Sequence, residues 1–168
     1  FHIPALANSS LGWTATFDYS LSDTGSPGTP PADGFAFSYG TIPFGTLSGQ
    51  PEEGWPGATD VTGSIVSFEV DTWVNGDDTG PAIGLNRPGD FGGTSLNHPS
   101  TLELTLGNIF EDETAVSGSV TITYNGATGI ASFTTTGADT NAAFANVDLG
   151  AAGFSGDDSY TFAIGART

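Results

Sequence analysis

The sequence predicts an all-β fold: a jelly-roll sandwich of two antiparallel sheets, in one domain over residues 1–168. Three observations predict it. Stretches in which apolar and polar residues alternate recur along the chain, and a period of two is the mark of a half-buried strand. Gly (25) and Pro (10) punctuate the chain between those stretches, as turns between many short strands require. No stretch carries helical periodicity, and no internal repeat is present. A chain of 168 residues is long enough to bury one sizeable core.

Taken in order, Phe1–Leu11 shows little alternation and is interrupted by Pro4 and Asn8-Ser9-Ser10. Gly12–Leu21 sets Trp13, Ala15, Phe17, Tyr19 and Leu21 against Thr14, Thr16, Asp18 and Ser20, a strand with one wet face. A Gly/Pro/Ser loop follows over Ser22–Pro31. The next strand, Ala32–Tyr39, carries Phe35, Phe37 and Tyr39 on one side. Thr41–Gly63 is irregular, with Pro43, Pro51 and Pro56 barring central pairing. Ile65–Val74 alternates again, and Ala82–Leu85 is its short partner. After a glycine-rich loop, Thr101–Leu106 alternates. Val116–Tyr124 and Ile130–Thr136 flank Asn125-Gly126 and read as a hairpin. Ala143–Leu149 and Tyr160–Gly165 are the last strands expected.

Composition narrows the function. The net charge is -17, there is no lysine, and Arg87 and Arg167 are the two strong cations. Such a surface repels nucleic acid and anionic membranes, and it tolerates divalent cations and neutral sugars. No segment is apolar for long enough to span a bilayer. With no cysteine there is no disulfide framework and no thiol chemistry. The opening Phe-His-Ile-Pro is not a signal peptide, so an exported chain carries its signal outside this sequence.

The chemistry concentrates in Val66–Asn86. Val66, Phe68, Val70, Thr72 and Val74 form a core-facing side of one strand. Glu69, Asp71, Trp73 and Asn75 form the other, which runs into Gly76-Asp77-Asp78-Thr79-Gly80. Calcium takes six to eight oxygens from carboxylates, amides and carbonyls, and this loop offers them. Asn, Asp and Gly are also ordinary turn residues. Carboxylates so crowded nevertheless repel unless a positive charge lies between them, and two arginines cannot serve every acidic cluster.

Glu69-x-Asp71-x-Trp73-x-Asn75 followed by Asp78 resembles the metal-binding segment of the legume-type (L-type) lectins, the concanavalin A-like jelly-roll sandwiches. The resemblance implies that calcium (Ca2+) is held by Asp71, the Trp73 carbonyl, Asn75 and either Asp77 or Asp78, with Glu69 acting through a metal-bound water. The loop is shorter than the family's. Ala82 stands where the family has a transition-metal histidine before Ile83-Gly84, so a manganese site built on that imidazole is not expected. Upstream, Ala32-Asp33-Gly34-Phe35-Ala36-Phe37 is similar to the family's sugar-binding strand start, implying that Asp33 accepts hydrogen bonds from sugar hydroxyls beside Gly34 and Asn75. Phe44 and Trp55 lie in the glycine-punctuated stretch between the two motifs, where an aromatic either stacks on a pyranose ring or closes over the core. Tyr160–Thr168 resembles the strand leading to the family's specificity loop.

Glycoside hydrolases of this fold carry a second glutamate three residues after the aspartate, giving two carboxyls about 5 Å apart for retaining chemistry. Val74 occupies that position here, so no enzyme activity is expected. The reading is a calcium-dependent module of a secreted or cell-surface protein that binds a neutral saccharide. The alternative is a structural or adhesive subunit that keeps the calcium and joins other copies of itself by strand addition. The family's terminal strands are not evident at either end, and the expected reason is that the sequence is a fragment of a longer chain, with strand donation by a neighbouring subunit as the competing account.

Overall fold

The computed structural model describes residues 1–22, 34–42, 65–71, 82–86, 104–105, 115–137, 142–151 and 153–167. Within them, ten strands form two antiparallel sheets: β1 (His2–Ile3), β2 (Gly12–Ser22), β3 (Gly34–Gly40), β4 (Ile65–Asp71), β5 (Ala82–Asn86), β6 (Leu104–Thr105), β7 (Ala115–Asn125), β8 (Ile130–Gly137), β9 (Ala142–Asp148) and β10 (Thr161–Arg167). The larger sheet runs β1-β10-β3-β4-β5-β6 and the smaller β2-β7-β8-β9. The expected jelly-roll sandwich is therefore present. The predicted strands recur, with ends moved by a residue or two where the bounds are described.

The two sheets meet through their alternating apolar faces. Phe35, Phe37 and Tyr39 of β3, Val66 and Phe68 of β4 and Phe162 of β10 pack against Tyr19, Val120, Ile122, Tyr124, Ala131 and Phe133 of the smaller sheet. Trp13 is the hub of this core. Its ring lies 5.6 Å from Phe37, 5.2 Å from Tyr39, 6.4 Å from Phe68, 5.4 Å from Phe162 and 6.0 Å from Tyr124, so it touches both sheets. The indole Nε1–H is buried there and has no acceptor among the described residues.

β3 is buried along its whole length. Its second face carries Ala36 and Ser38, and the Ser38 hydroxyl lies 2.7 Å from that of Ser67 on β4. Two hydroxyls that satisfy each other carry little of the cost of burying a polar group. The face opposite the aromatic core is thus closed to water at its centre, where alternation alone suggests a wet one.

The N-terminal residues depart from expectation. His2–Ile3 is a strand, pairing with Ala163 and Phe162. The Phe1 ammonium donates to Ile164 O at 2.7 Å, and Ile164 N donates to Phe1 O at 2.8 Å. Two residues are too few for a period to be read, and the order comes from the β10 edge. Pro4, without an N–H, ends the pairing. The segment is then pinned by its turn. Ser10 N donates to Asp158 Oδ1 at 2.9 Å, and the buried Tyr39 hydroxyl donates to Ser9 Oγ and Asp157 O at 3.3 and 3.2 Å. Hydrogen bonds from Ser10 hold the Asp158 carboxyl below its ordinary range, as those from Ser159 do for Asp157. A lowered folded pKa means that this support is complete above the ordinary carboxylate value and is lost as pH falls through the folded one.

The β7–β8 connection is longer than an Asn-Gly two-residue turn. Gly129 N closes it onto Asn125 O at 2.8 Å, while Asn125 Oδ1 accepts from Ala127 N at 3.0 Å. Gly126 N donates to Leu11 O at 3.0 Å, and a methyl group on Gly126 collides with the Ser10 carbonyl oxygen. Gly126→Ala is expected to cost about 1–3 kcal/mol, the range for overpacking against unyielding neighbours. Urea denaturation measures it, and an unchanged midpoint contradicts the close approach of turn and N-terminal segment.

Candidate functional site

Strand register brings the two sequence motifs to one place. Gly34, the first residue of β3, pairs with Asp71, the last residue of β4, and Asp71 pairs with Ala82, the first residue of β5. Two residues further in, Ala36 pairs with Glu69 and Glu69 with Gly84. Directly opposed residues on an antiparallel sheet share a face. Glu69 and Asp71 therefore occupy one face, in rows whose neighbours on β3 and β5 have little or no side chain: Gly34, Ala36, Ala82 and Gly84. The chain enters β3, leaves β4 and enters β5 at the same end of the sheet.

The same row extends to Arg167, which pairs with Gly34 on the far side from Asp71. One of the two arginines thus holds a register position two strands from Asp71 with a glycine between, about 10 Å at ordinary strand spacing. Sequence reading gave Arg167 no part in the site. No local signal gives it one, because the pairing of β10 with β3 joins residues far apart in the chain.

Gly34 has φ 146°, a conformation that favours glycine. The Asp-Gly step thus has a backbone reason at the point where β3 begins. Gly34 is also buried, and of the residues expected at a sugar pocket it is the one the structure describes.

For Glu69 and Asp71 the structure describes the backbone position. Asp33, Trp55, Trp73, Asn75, Asp77 and Asp78 lie outside the described residues, as do Phe44 and Val74. Among the described residues no group of three or more His, Cys, Asp or Glu side chains converges to hold a metal. The donor set expected at the row's end is all oxygen, and its β-sheet neighbours are small. Both suit a hard cation that takes oxygens at 2.3–2.6 Å.

No protein-family model matches the sequence, and no curated protein matches it. Its fold matches solved legume lectins. The Bauhinia forficata lectin in complex with GalNAc aligns with 92% of this chain and 73% of its own, at 19% identity and TM-score 0.59. The basic winged bean lectin with Tn-antigen aligns with 98% of this chain and 65% of its own, at 18% identity and TM-score 0.56. Lectin I from Ulex europaeus, in complex with the methyl glycoside of α-L-fucose, aligns with 98% and 68%, at 15% identity and TM-score 0.58. The chain spans about two thirds of the length of the winged bean lectin, and the fold it shares with these proteins is the legume lectin, concanavalin A-like sandwich.

Proposed function

We propose that a chain with this sandwich serves as a calcium-dependent carbohydrate-binding module of a secreted or cell-surface protein. The observation that carries the reading is the row Gly34–Asp71–Ala82, which joins the Asp33-Gly34 motif to the start of the acidic loop at one end of one sheet. Solved proteins with the same fold hold sugars, among them GalNAc and a fucoside, and a neutral saccharide suits a strongly acidic surface with two arginines. Calcium would be held by Asp71, the Trp73 carbonyl, Asn75 and Asp78 or Asp77, with Glu69 on a metal-bound water. When bound, the ion neutralises the crowded carboxylates and stiffens the loop. Asp33 and Asn75 accept and donate hydrogen bonds to sugar hydroxyls beside Gly34, and Trp55 offers a ring for a pyranose face. Affinity is expected to be weak, because sugar hydroxyls exchange water for protein hydrogen bonds at little net gain.

A glycan array with and without EDTA tests the whole reading. Against any neutral glycan bound, Asp33→Ala is expected to reduce affinity at least tenfold while leaving the melting temperature within a degree or two. Retained binding would place the sugar elsewhere. With Val74 in place of a second glutamate, no hydrolysis of the bound glycan is expected. With alanine at position 82, no manganese site built on an imidazole at that position is expected.

A second reading is a structural or adhesive subunit that keeps calcium without binding sugar. A calcium-dependent melt combined with an array blank for every glycan would select it.

A further inference from the structure

The Asn125-Gly126 step between β7 and β8 carries chemistry that the sandwich itself does not use. An asparagine side-chain carbonyl is open to attack by the backbone nitrogen of the residue that follows. Glycine in that place leaves the nitrogen uncrowded, because it has no Cβ. The nitrogen gives up its proton and bonds to the asparagine Cγ, and the side-chain amide takes a proton and leaves as ammonia. The product is a cyclic succinimide, which water then opens. Attack at one ring carbonyl gives aspartate. Attack at the other gives isoaspartate, whose main chain runs through Cβ and is one methylene longer. Asn125 is exposed, so water reaches it.

Two observations hold the first step back. Gly126 N donates to Leu11 O at 3.0 Å, so the proton that must leave is engaged by a carbonyl oxygen. The partial negative charge of that oxygen also faces the nitrogen where negative charge develops. Within the turn, Asn125 Oδ1 accepts from Ala127 N at 3.0 Å and from Thr128 N at 3.3 Å, an Asx turn that fixes the side chain. The first restraint comes from outside the turn. Leu11 is seated on Gly126 by clamps on its neighbours: Ser10 N donates to Asp158 Oδ1 at 2.9 Å, and the Tyr39 hydroxyl donates to Ser9 Oγ at 3.3 Å. Ser10 is thereby enclosed. A Cβ on Gly126 collides with the Ser10 carbonyl oxygen, and a Cβ on Gly156 meets Ser10 Cα at 3.3 Å. Where a methyl group on Gly126 does not fit, a main chain lengthened by a methylene at position 125 does not fit either.

We propose that Asn125 is a deamidation site gated by the segment that precedes β2. While Leu11 is seated on Gly126, the asparagine persists. When the segment lifts, in a local opening that leaves the sheets folded, Gly126 N attacks Asn125 Cγ. The isoaspartate that follows keeps Ser10 and Leu11 from returning to their places, so the step runs one way. Seating of the segment and survival of Asn125 therefore depend on each other. The inference does not rest on sugar or calcium binding.

The test ages the whole chain at mildly alkaline pH. Peptide mass spectrometry that separates aspartate from isoaspartate gives the rate at Asn125, and amide hydrogen exchange reports Ser10, Leu11 and Gly126. Wild type is compared with Tyr39→Phe and Asp158→Ala, each of which removes one clamp, and graded sub-denaturing urea loosens the segment in all three. In the folded wild type Asn125 is expected to react about tenfold or more slowly than in fully denaturing urea, the protection that local structure confers. There Asn75-Gly76, the other Asn-Gly step of the sequence, provides the reference rate. In the variants the rate is expected to rise several-fold, in proportion to exchange of the Gly126 amide, with β7 and β8 still protected. Equal rates in the folded and denatured chain would overturn the protection. A rate that does not follow Gly126 exchange, or that rises only with global unfolding, would overturn gating by the segment. The isoaspartate form, isolated by anion exchange, is expected to lack protection at Ser10 and Leu11, and retained protection there would overturn the one-way step.

Discussion

Trp13→Ala is expected to destabilise the chain by about 3–5 kcal/mol, the range for truncating a large aromatic in a core. The reason is where Trp13 sits. Its ring contacts Phe37, Tyr39, Phe68 and Phe162 of the larger sheet and Tyr124 of the smaller, and each aromatic pair adds about 0.5–1.5 kcal/mol beyond area burial. Two features pull toward the lower end. One side of the residue lines a cleft beside β2, and its buried indole N–H has no acceptor among the described residues, a state that itself costs about 1–3 kcal/mol. Trp13→Phe separates these terms. It keeps an aromatic in place and removes the unsatisfied donor, so it is expected to cost about 1 kcal/mol. Urea denaturation of both variants is the measurement. At about 2–4 °C per kcal/mol for a domain of this size, Trp13→Ala is expected to lower the melting temperature by about 6–20 °C. A loss under about 1 kcal/mol would mean that the two sheets do not depend on this hub.

Calcium removal is expected to have the second largest effect. An ion that binds the folded chain alone and is present at a hundredfold excess over its Kd adds about 2.7 kcal/mol. EDTA is therefore expected to lower the melting temperature by about 5–11 °C. Asp71→Ala is expected to melt at the EDTA value in either condition. Asp71 is the informative position because it is the expected ligand whose strand register is known, facing Gly34 and Ala82 across β3 and β5. A wild-type melt unchanged by EDTA, with the protein confirmed free of metal, would remove calcium from the reading. A melt that responds in Asp71→Ala as in the wild type would move the ion elsewhere.

Much of the architecture was legible before any coordinates. Period-two alternation identified β2, β7 and β8, because each buries one face against the opposite sheet and leaves hydroxyls on the other. The Asn125-Gly126 step located the β7–β8 connection, although the turn proved longer and uses Asn125 as a side-chain acceptor. The site motifs were legible as resemblance, and their joint placement follows from pairing: Asp71 meets Gly34, 37 positions earlier in the chain. A period says which residues share a face of one strand. It does not say which strands are neighbours.

By itself, then, the sequence determined the all-β class, the strands among the described residues to within the shortest element, and the acidic composition, and it named the residues proposed to bind a hard cation or a sugar. These depend on local alternation, turn chemistry and composition. Tertiary structure alone decided three things: that His2–Ile3 becomes a strand on the β10 edge, that Arg167 shares a row with Asp71, and that the second face of β3 is buried. Each is a contact between segments distant in the chain, and its energy comes from the partner's position, which no local pattern of residues encodes.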